Sequence, residues 1–297
     1  MNIYSQIRRN KLKTYFIIFL FIALISALFY LMGQYFGDPK LYFALGMLFS
    51  LVSGVGSYFY SDKIVLKMSG ARLASKKEHF DFYTVTENLS IAAGIPMPKL
   101  YVIEDPTPNA FATGRNPEHA VVAATTGLLQ RLKRAEIEGV IAHELSHVRN
   151  YDILVMTIVT VLVGTVVFAV DFFMRSLWWG RGRSRDRRAG GITLVIFIVF
   201  MILMPFVASL IQLAVSRKRE YLADASGALL SRNPDGLADA LEKIAASPRP
   251  LKRASNATAH LYISNPFKKD TGAKNWLAKL FSTHPPMEER VRILRSM

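Results

Sequence analysis

The stretch LKRAEIEGVIAHELSHVRNYDIL, residues 132–154, decides how this chain is read. Ala135, Glu136, Ile137, Val140, Ile141, Leu145 and Val148 recur at helical spacing. On that helix His143 and His147 lie one turn apart on one face, so both imidazoles can point at a single ion. Zinc accepts histidine nitrogens, and a catalytic zinc keeps one position open for water. Glu144 stands one position round the helix, where it can serve as general base toward the attacking water. The motif alone does not separate this reading from a pair of solvated histidines on a helix surface. The rest of the chain has to supply a third ligand and a setting.

The setting is a membrane. The chain has 297 residues, 51% of them hydrophobic, yet its formal net charge is +15. Mean hydropathy is +0.23. Apolar and basic together suit a membrane protein with positively charged flanks. Nucleic-acid binding is not expected, because the basic residues lie beside apolar runs and form no nucleic-acid motif. There is no cysteine, so any metal must be held by His, Asp or Glu.

Four apolar runs follow one another: Tyr15–Met32, Leu41–Tyr60, Ile153–Met174 and Gly191–Val215. Each is long enough to cross a bilayer, which takes about 20 residues. The first follows Arg8, Arg9, Lys11 and Lys13 and reads as a retained anchor, not a cleaved signal. Gly46, Gly54 and Gly56 are close-packing points in the second. The last two runs can also be read as a buried helical hairpin. The expected organisation is a pair of spanning helices over 1–60, a first part of a soluble domain over 61–152, a membrane hairpin over 153–215, and a second part over 216–297. The basic N-terminal flank puts the N-terminus, and with it both soluble parts, in the cytoplasm. The arginine-rich loop RGRSRDRR, residues 181–188, then lies outside, against that same rule.

The stretch RKREYLAD, residues 217–224, begins just after the fourth run. Glu220 and Asp224 are four apart on another helix: one carboxylate can bind the metal, and the other can take the free N–H of a ligand histidine. An exposed helix bridged by Arg217 and Arg219 is the plain alternative. Topology favours the first reading, since a chain that goes out and back returns near where it left. LYVIED and HAVVAATT read as strands on either side of TPNAFATG, residues 107–114.

Two N-terminal spans, HELSH, an apolar hairpin, REYLAD and a late THP fall in the order of a known family. In these features nearly the whole chain resembles the HtpX-type membrane metalloproteases, relatives of the CAAX prenyl proteases. The resemblance implies a mainly α fold with a small β-sheet or hairpin, four transmembrane helices and a gluzincin-type domain with one Zn2+. It implies that His143, His147 and Glu220 bind zinc, that Glu144 is the general base, and that Asp224 backs a ligand. It implies that Asn109, Ala110, Phe111 and Ala112 form an edge strand that receives substrate backbone by strand addition. His284 becomes a catalytic residue that stabilises the oxyanion. Arg290 is expected on the substrate side. The implied function is endoproteolysis of misfolded or damaged membrane proteins at the cytoplasmic face of a bacterial inner membrane, as part of stress response and quality control. Its partners are polypeptide substrates and the lipid bilayer. A CAAX-type prenyl-protein protease and a non-catalytic metal-binding scaffold are the alternatives. His79, His119 and His260 are expected at the surface or in loops.

Overall fold

The computed structural model describes residues 3–180, 207, 210, 216–247, 249–252, 257–266 and 285–297. Two long helices come first, α1 (Ile3–Phe36) and α2 (Pro39–Ser69). Asp38 caps α2 by accepting the Leu41 N–H, Pro39 opens its first turn, and Gly70 closes it in the left-handed region. Both helices are long and apolar enough to cross a membrane. They pack closely where α2 carries small residues. A Cβ on Gly46 would meet Phe29 at 2.5 Å, and one on Gly54 would meet Ile18 at 3.2 Å. Gly56, expected to serve the same purpose, has open space around it.

A mixed four-stranded sheet follows: β1 (Ala71–Leu73), β2 (Lys99–Ile103), β3 (Ala110–Thr113) and β4 (Val121–Thr125), in the order β1-β2-β4-β3. β2 and β4 run parallel with Tyr101 opposite Ala123, and β3 runs antiparallel to β4 with Phe111 opposite Ala123. The expected strands are therefore present, and β3 lies at an edge. Helix α3 (Phe80–Ala93) and the short α4 (Thr126–Arg131) flank the sheet.

Helix α5 (Arg134–Arg149) carries the motif and packs against α3 and β3 as well as helices that follow it in the chain. Ile137, Val140, Ile141, Leu145 and Val148 are all at most 3% exposed. Three further helices complete the described part: α6 (Asp152–Gly180), α7 (Arg217–Ser231) and α8 (Pro234–Ala245). A C-terminal helix, α9 (Met287–Leu294), packs on α8. One hydrophobic core joins residues within Ala74–Ile153 to residues within Ala228–Leu294, so segments far apart in the chain share an interior. Burial of this kind contributes about 25 cal/mol per Å2 of apolar surface.

The expectation of four spanning helices is only partly met. Among the described residues two helices pass by length and composition, or three if α5 and α6, which meet at 83°, count as one broken span. The bend follows from Tyr151, which takes a left-handed φ of 59° between the two helices and stops α5 from running on into α6. The third run is thus the start of α6. The fourth run lies outside the described residues except for Val207 and Leu210, which are buried against α1 and α6. The arginine-rich loop also lies outside them.

Candidate active site

α5 and α7 approach backbone to backbone. A Cβ on Gly227 would lie 2.9 Å from the His143 backbone nitrogen, so only glycine lets α7 come this near. Glu220, Asp224 and Gly227 share one face of α7. The close approach sets both carboxylates against the two histidines. His143, Glu144, His147, Glu220 and Asp224 are all at most 4% exposed. Buried groups of this kind need partners, and each has one.

His143 turns Nδ1 to Asp224 at 2.9 Å. His147 turns Nδ1 to Asp152 at 3.1 Å. The two Nε2 atoms then face each other at 3.2 Å, and Glu220 Oε1 lies 3.6 Å from His147 Nε2. Ligand atoms of His143, His147 and Glu220 all fall within 4.8 Å of one another. A neutral imidazole that donates Nδ1–H keeps a lone pair on Nε2. Two such lone pairs and a carboxylate aimed at one point suit a divalent cation, and the donor set is that of a three-ligand catalytic metal site.

The electrostatics agree. For His147, burial opposes the charged form, but the hydrogen bond it donates to Asp152 and the charge of Glu220 outweigh it and raise the ring to about 9. Burial pushes His143 down. One positive charge between the Nε2 atoms is therefore favoured. Burial alone would raise Asp224, yet the Arg290 guanidinium overrides it and holds the carboxyl down at about 2. Burial lifts Glu144 to about 7, against the pull of His147. The Ala112 backbone hydrogen-bonds to the Glu144 carboxyl, so the edge strand and the glutamate are in contact.

Arg290 is placed differently from the sequence-based expectation. It is 0% exposed and donates to Asp224 through Nη2 at 2.6 Å and Nε at 2.8 Å. It also donates to the Ile263 carbonyl at 3.1 Å. It therefore stands behind His143, with no exposed surface to offer a substrate. His284 lies outside the described residues. In the edge strand, the Asn109 side chain donates to the Ser264 carbonyl at 3.0 Å, and the Ala110 carbonyl accepts the Ile263 N–H at 3.0 Å. Residues 263–264 therefore already lie along one end of β3.

Three residues escaped the sequence reading. Asp152 backs His147, Asn10 donates to Asp152, and Arg219 lies 3.4 Å from Asp152 and is 7% exposed, not the solvent-facing residue of an exposed helix. The position of Asp152 at the joint between motif and apolar run was its only signal. His260, expected at the surface or in a loop, lies in a short 3-10 turn, is 1% exposed and is bonded to Thr160 on α6.

A buried histidine pair, two carboxylates on a facing helix and an adjoining apolar helix pair define a membrane-bound metallopeptidase. The profile of Peptidase family M48 matches residues 77–297, and the chain belongs to that family. "Protease HtpX homolog" of Tropheryma whipplei (strain Twist) is 47% identical over 294 residues, 99% of this chain and 98% of that protein. A protein of the same name from Thermoanaerobacter pseudethanolicus (strain ATCC 33223 / 39E) is 45% identical over 299 residues, again 99% and 98%. The crystal structure of S. mikatae Ste24p overlaps 98% of this chain and 66% of that one, at 18% identity and a TM-score of 0.48, too distant to bear on the fold. The chain is a metalloendopeptidase that acts on polypeptides.

Proposed function

We propose that the chain is a zinc endopeptidase whose metal is held by His143, His147 and Glu220, with Glu144 as general base. The observation that carries this is the pair of Nε2 atoms 3.2 Å apart beside Glu220, each ring fixed by a carboxylate at Nδ1. Zinc bound there would act as a Lewis acid toward a peptide carbonyl and acidify a water. Glu144, raised by burial, is matched to take the proton of the attacking water near neutral pH and to pass it to the leaving amine. The Ala112 backbone orients the Glu144 carboxyl. Asp224 and Asp152 hold the ligand rings in one tautomer and one orientation.

The substrate enters as an extended strand along β3. With the Ala110 carbonyl bonded to Ile263, a peptide pairs beside Ala112 or displaces Ile263. Asn109 acts indirectly, by holding Ser264 against the strand. The substrates are misfolded or damaged membrane proteins. This is supported by the short connection from α5 to α6, which leaves the site next to apolar helices where loops of membrane proteins lie. The soluble part, 61–152 with 216–297, faces the cytoplasm, and the protein sits in the bacterial inner membrane with the hairpin 153–215 inserted in it. His284 belongs in this scheme as the oxyanion donor.

The test is cleavage of casein by detergent-purified protein, stripped with chelator and restored with zinc, beside Glu144→Gln. The expected result is zinc-restored cleavage in the wild type and a loss of about 10²–10⁴-fold in the variant, with zinc still bound. Equal cleavage by the variant would refute the role of Glu144.

A further inference from the structure

We infer that Asn10, on the first membrane helix, is a positioning residue for the metal ligand His147 and acts through Asp152. This rests on the metal centre proposed above and adds to it a component from a different part of the chain. Helix α1 is then part of the metal centre as well as an anchor.

The Asp152 carboxylate is divided between two partners. Oδ2 faces His147 Nδ1 at 3.1 Å, and Oδ1 accepts from Asn10 Nδ2 at 2.8 Å. The same Asn10 amide nitrogen donates to the Asn150 carbonyl at 2.9 Å. Next to it, Lys11 Nζ sits 4.7 Å above the Tyr151 ring. Two consecutive residues of α1 thus clasp all three residues of the joint, Asn150, Tyr151 and Asp152. The joint needs such a clasp. Tyr151 is held at a φ of 59°, in the left-handed region that a residue with a Cβ rarely adopts. Only that turn brings Asp152 back under His147, five residues earlier in the chain.

Asn10 is a donor by necessity. Both neighbours of its nitrogen are oxygens that can only accept, so the amide orientation is forced. Its own Oδ1 is buried with no hydrogen-bond partner. A leucine would fill the same space without that orphaned acceptor. The amide is thus better explained by its two donated hydrogen bonds than by packing. Arg219 reaches the same Asp152 oxygen from α7 at 3.4 Å, so the carboxylate keeps one partner when Asn10 is removed.

The experiment uses the full-length protein in detergent, metal-free, then titrated with Co2+ under chelator competition. Co2+ is chosen because its visible bands report ligand geometry independently of activity. Asn10→Leu is expected to bind one Co2+ about tenfold more weakly, with shifted bands. Thr14→Val, one turn on and buried but bonded only to the Asn10 carbonyl, is expected to leave both unchanged. In a double-mutant cycle, Asn10→Leu with Asp152→Asn should lose no more than Asp152→Asn alone, because the amide acts through the carboxylate. Additive losses, or wild-type affinity and bands in Asn10→Leu, would overturn the inference. If Asn10→Leu does not fold, Asn10→Ser, too short to reach Asp152, carries the same expectation and the same refutation. A wild type that takes up no Co2+ would overturn the metal centre and this inference with it. Unchanged bands in the variant would overturn this inference alone.

Discussion

His143 and His147 sit one turn apart on one helix, yet what stands behind them differs. His143 is backed by Asp224 of α7 and Arg290 of α9, in a compact set of short bonds. His147 is backed by Asp152, which is shared between Asn10 of α1 and Arg219 of α7. The first support is self-contained. The second draws on the joint between α5 and α6 and on the apolar helix α1. The difference teaches that only one of the two ligands is tied to the membrane part of the fold, so disturbance there should reach the metal through His147.

The two arginines separate the supports most strongly. Arg290→Met leaves Asp224 buried and short of its cation, which should destabilise the protein by about 3–5 kcal/mol. Arg219→Met should cost less, because Asp152 keeps the Asn10 donor at 2.8 Å when the 3.4 Å contact with Arg219 is lost. Denaturant unfolding in detergent compares them, and equal costs would break the asymmetry. Removing the carboxylates comes next. Asp224→Asn and Asp152→Asn should each weaken metal binding by about 10–100-fold, read by chelator competition. If Asp152→Asn were silent while Asp224→Asn was not, His147 would need no support.

The smallest effect is on protons. Between pH 7 and 9 the metal-free His147, raised to about 9, holds a proton that a metal must displace, whereas His143 is pushed down and holds none. Metal uptake at pH 8 should therefore release about one proton, and affinity should fall roughly tenfold for each pH unit below 9. A smaller release in Asp152→Asn, but not in Asp224→Asn, would sharpen the comparison, because the hydrogen bond to Asp152 comes ahead of the charge of Glu220 among the interactions that raise His147. Proton release measured by calorimetry in two buffers decides it.

Asp224, the carboxylate behind His143, was legible in the sequence; Arg290 behind it and the support of His147 were not. HELSH and REYLAD announce themselves because i, i+4 spacing on a helix is a local pattern. Reading the two apolar runs between them as going out and back led to the expectation that these two helices meet, and α5 and α7 do. The apolar stretches LYVIED and HAVVAATT on either side of NAFA foretold β2 and β4. Asp152 follows His147 by five residues, a spacing that a continuous helix would carry away from the ring. It reaches back only because Tyr151 turns left-handed and bends the chain by 83°. Asn10 stands among basic residues ahead of an apolar run, where nothing local distinguishes it from flank. Arg219 and Arg290 look like ordinary surface charges by composition, and their burial is decided by helices that arrive from elsewhere in the chain.

The most direct measurement is an anomalous difference map at the zinc edge from crystals of the zinc-loaded protein. The account predicts one peak per chain, about 2.0–2.2 Å from Nε2 of His143, Nε2 of His147 and a Glu220 carboxylate oxygen. The Nδ1 atoms of the same rings should stay on Asp224 and Asp152. No peak at these residues, or a peak coordinated elsewhere, would contradict it.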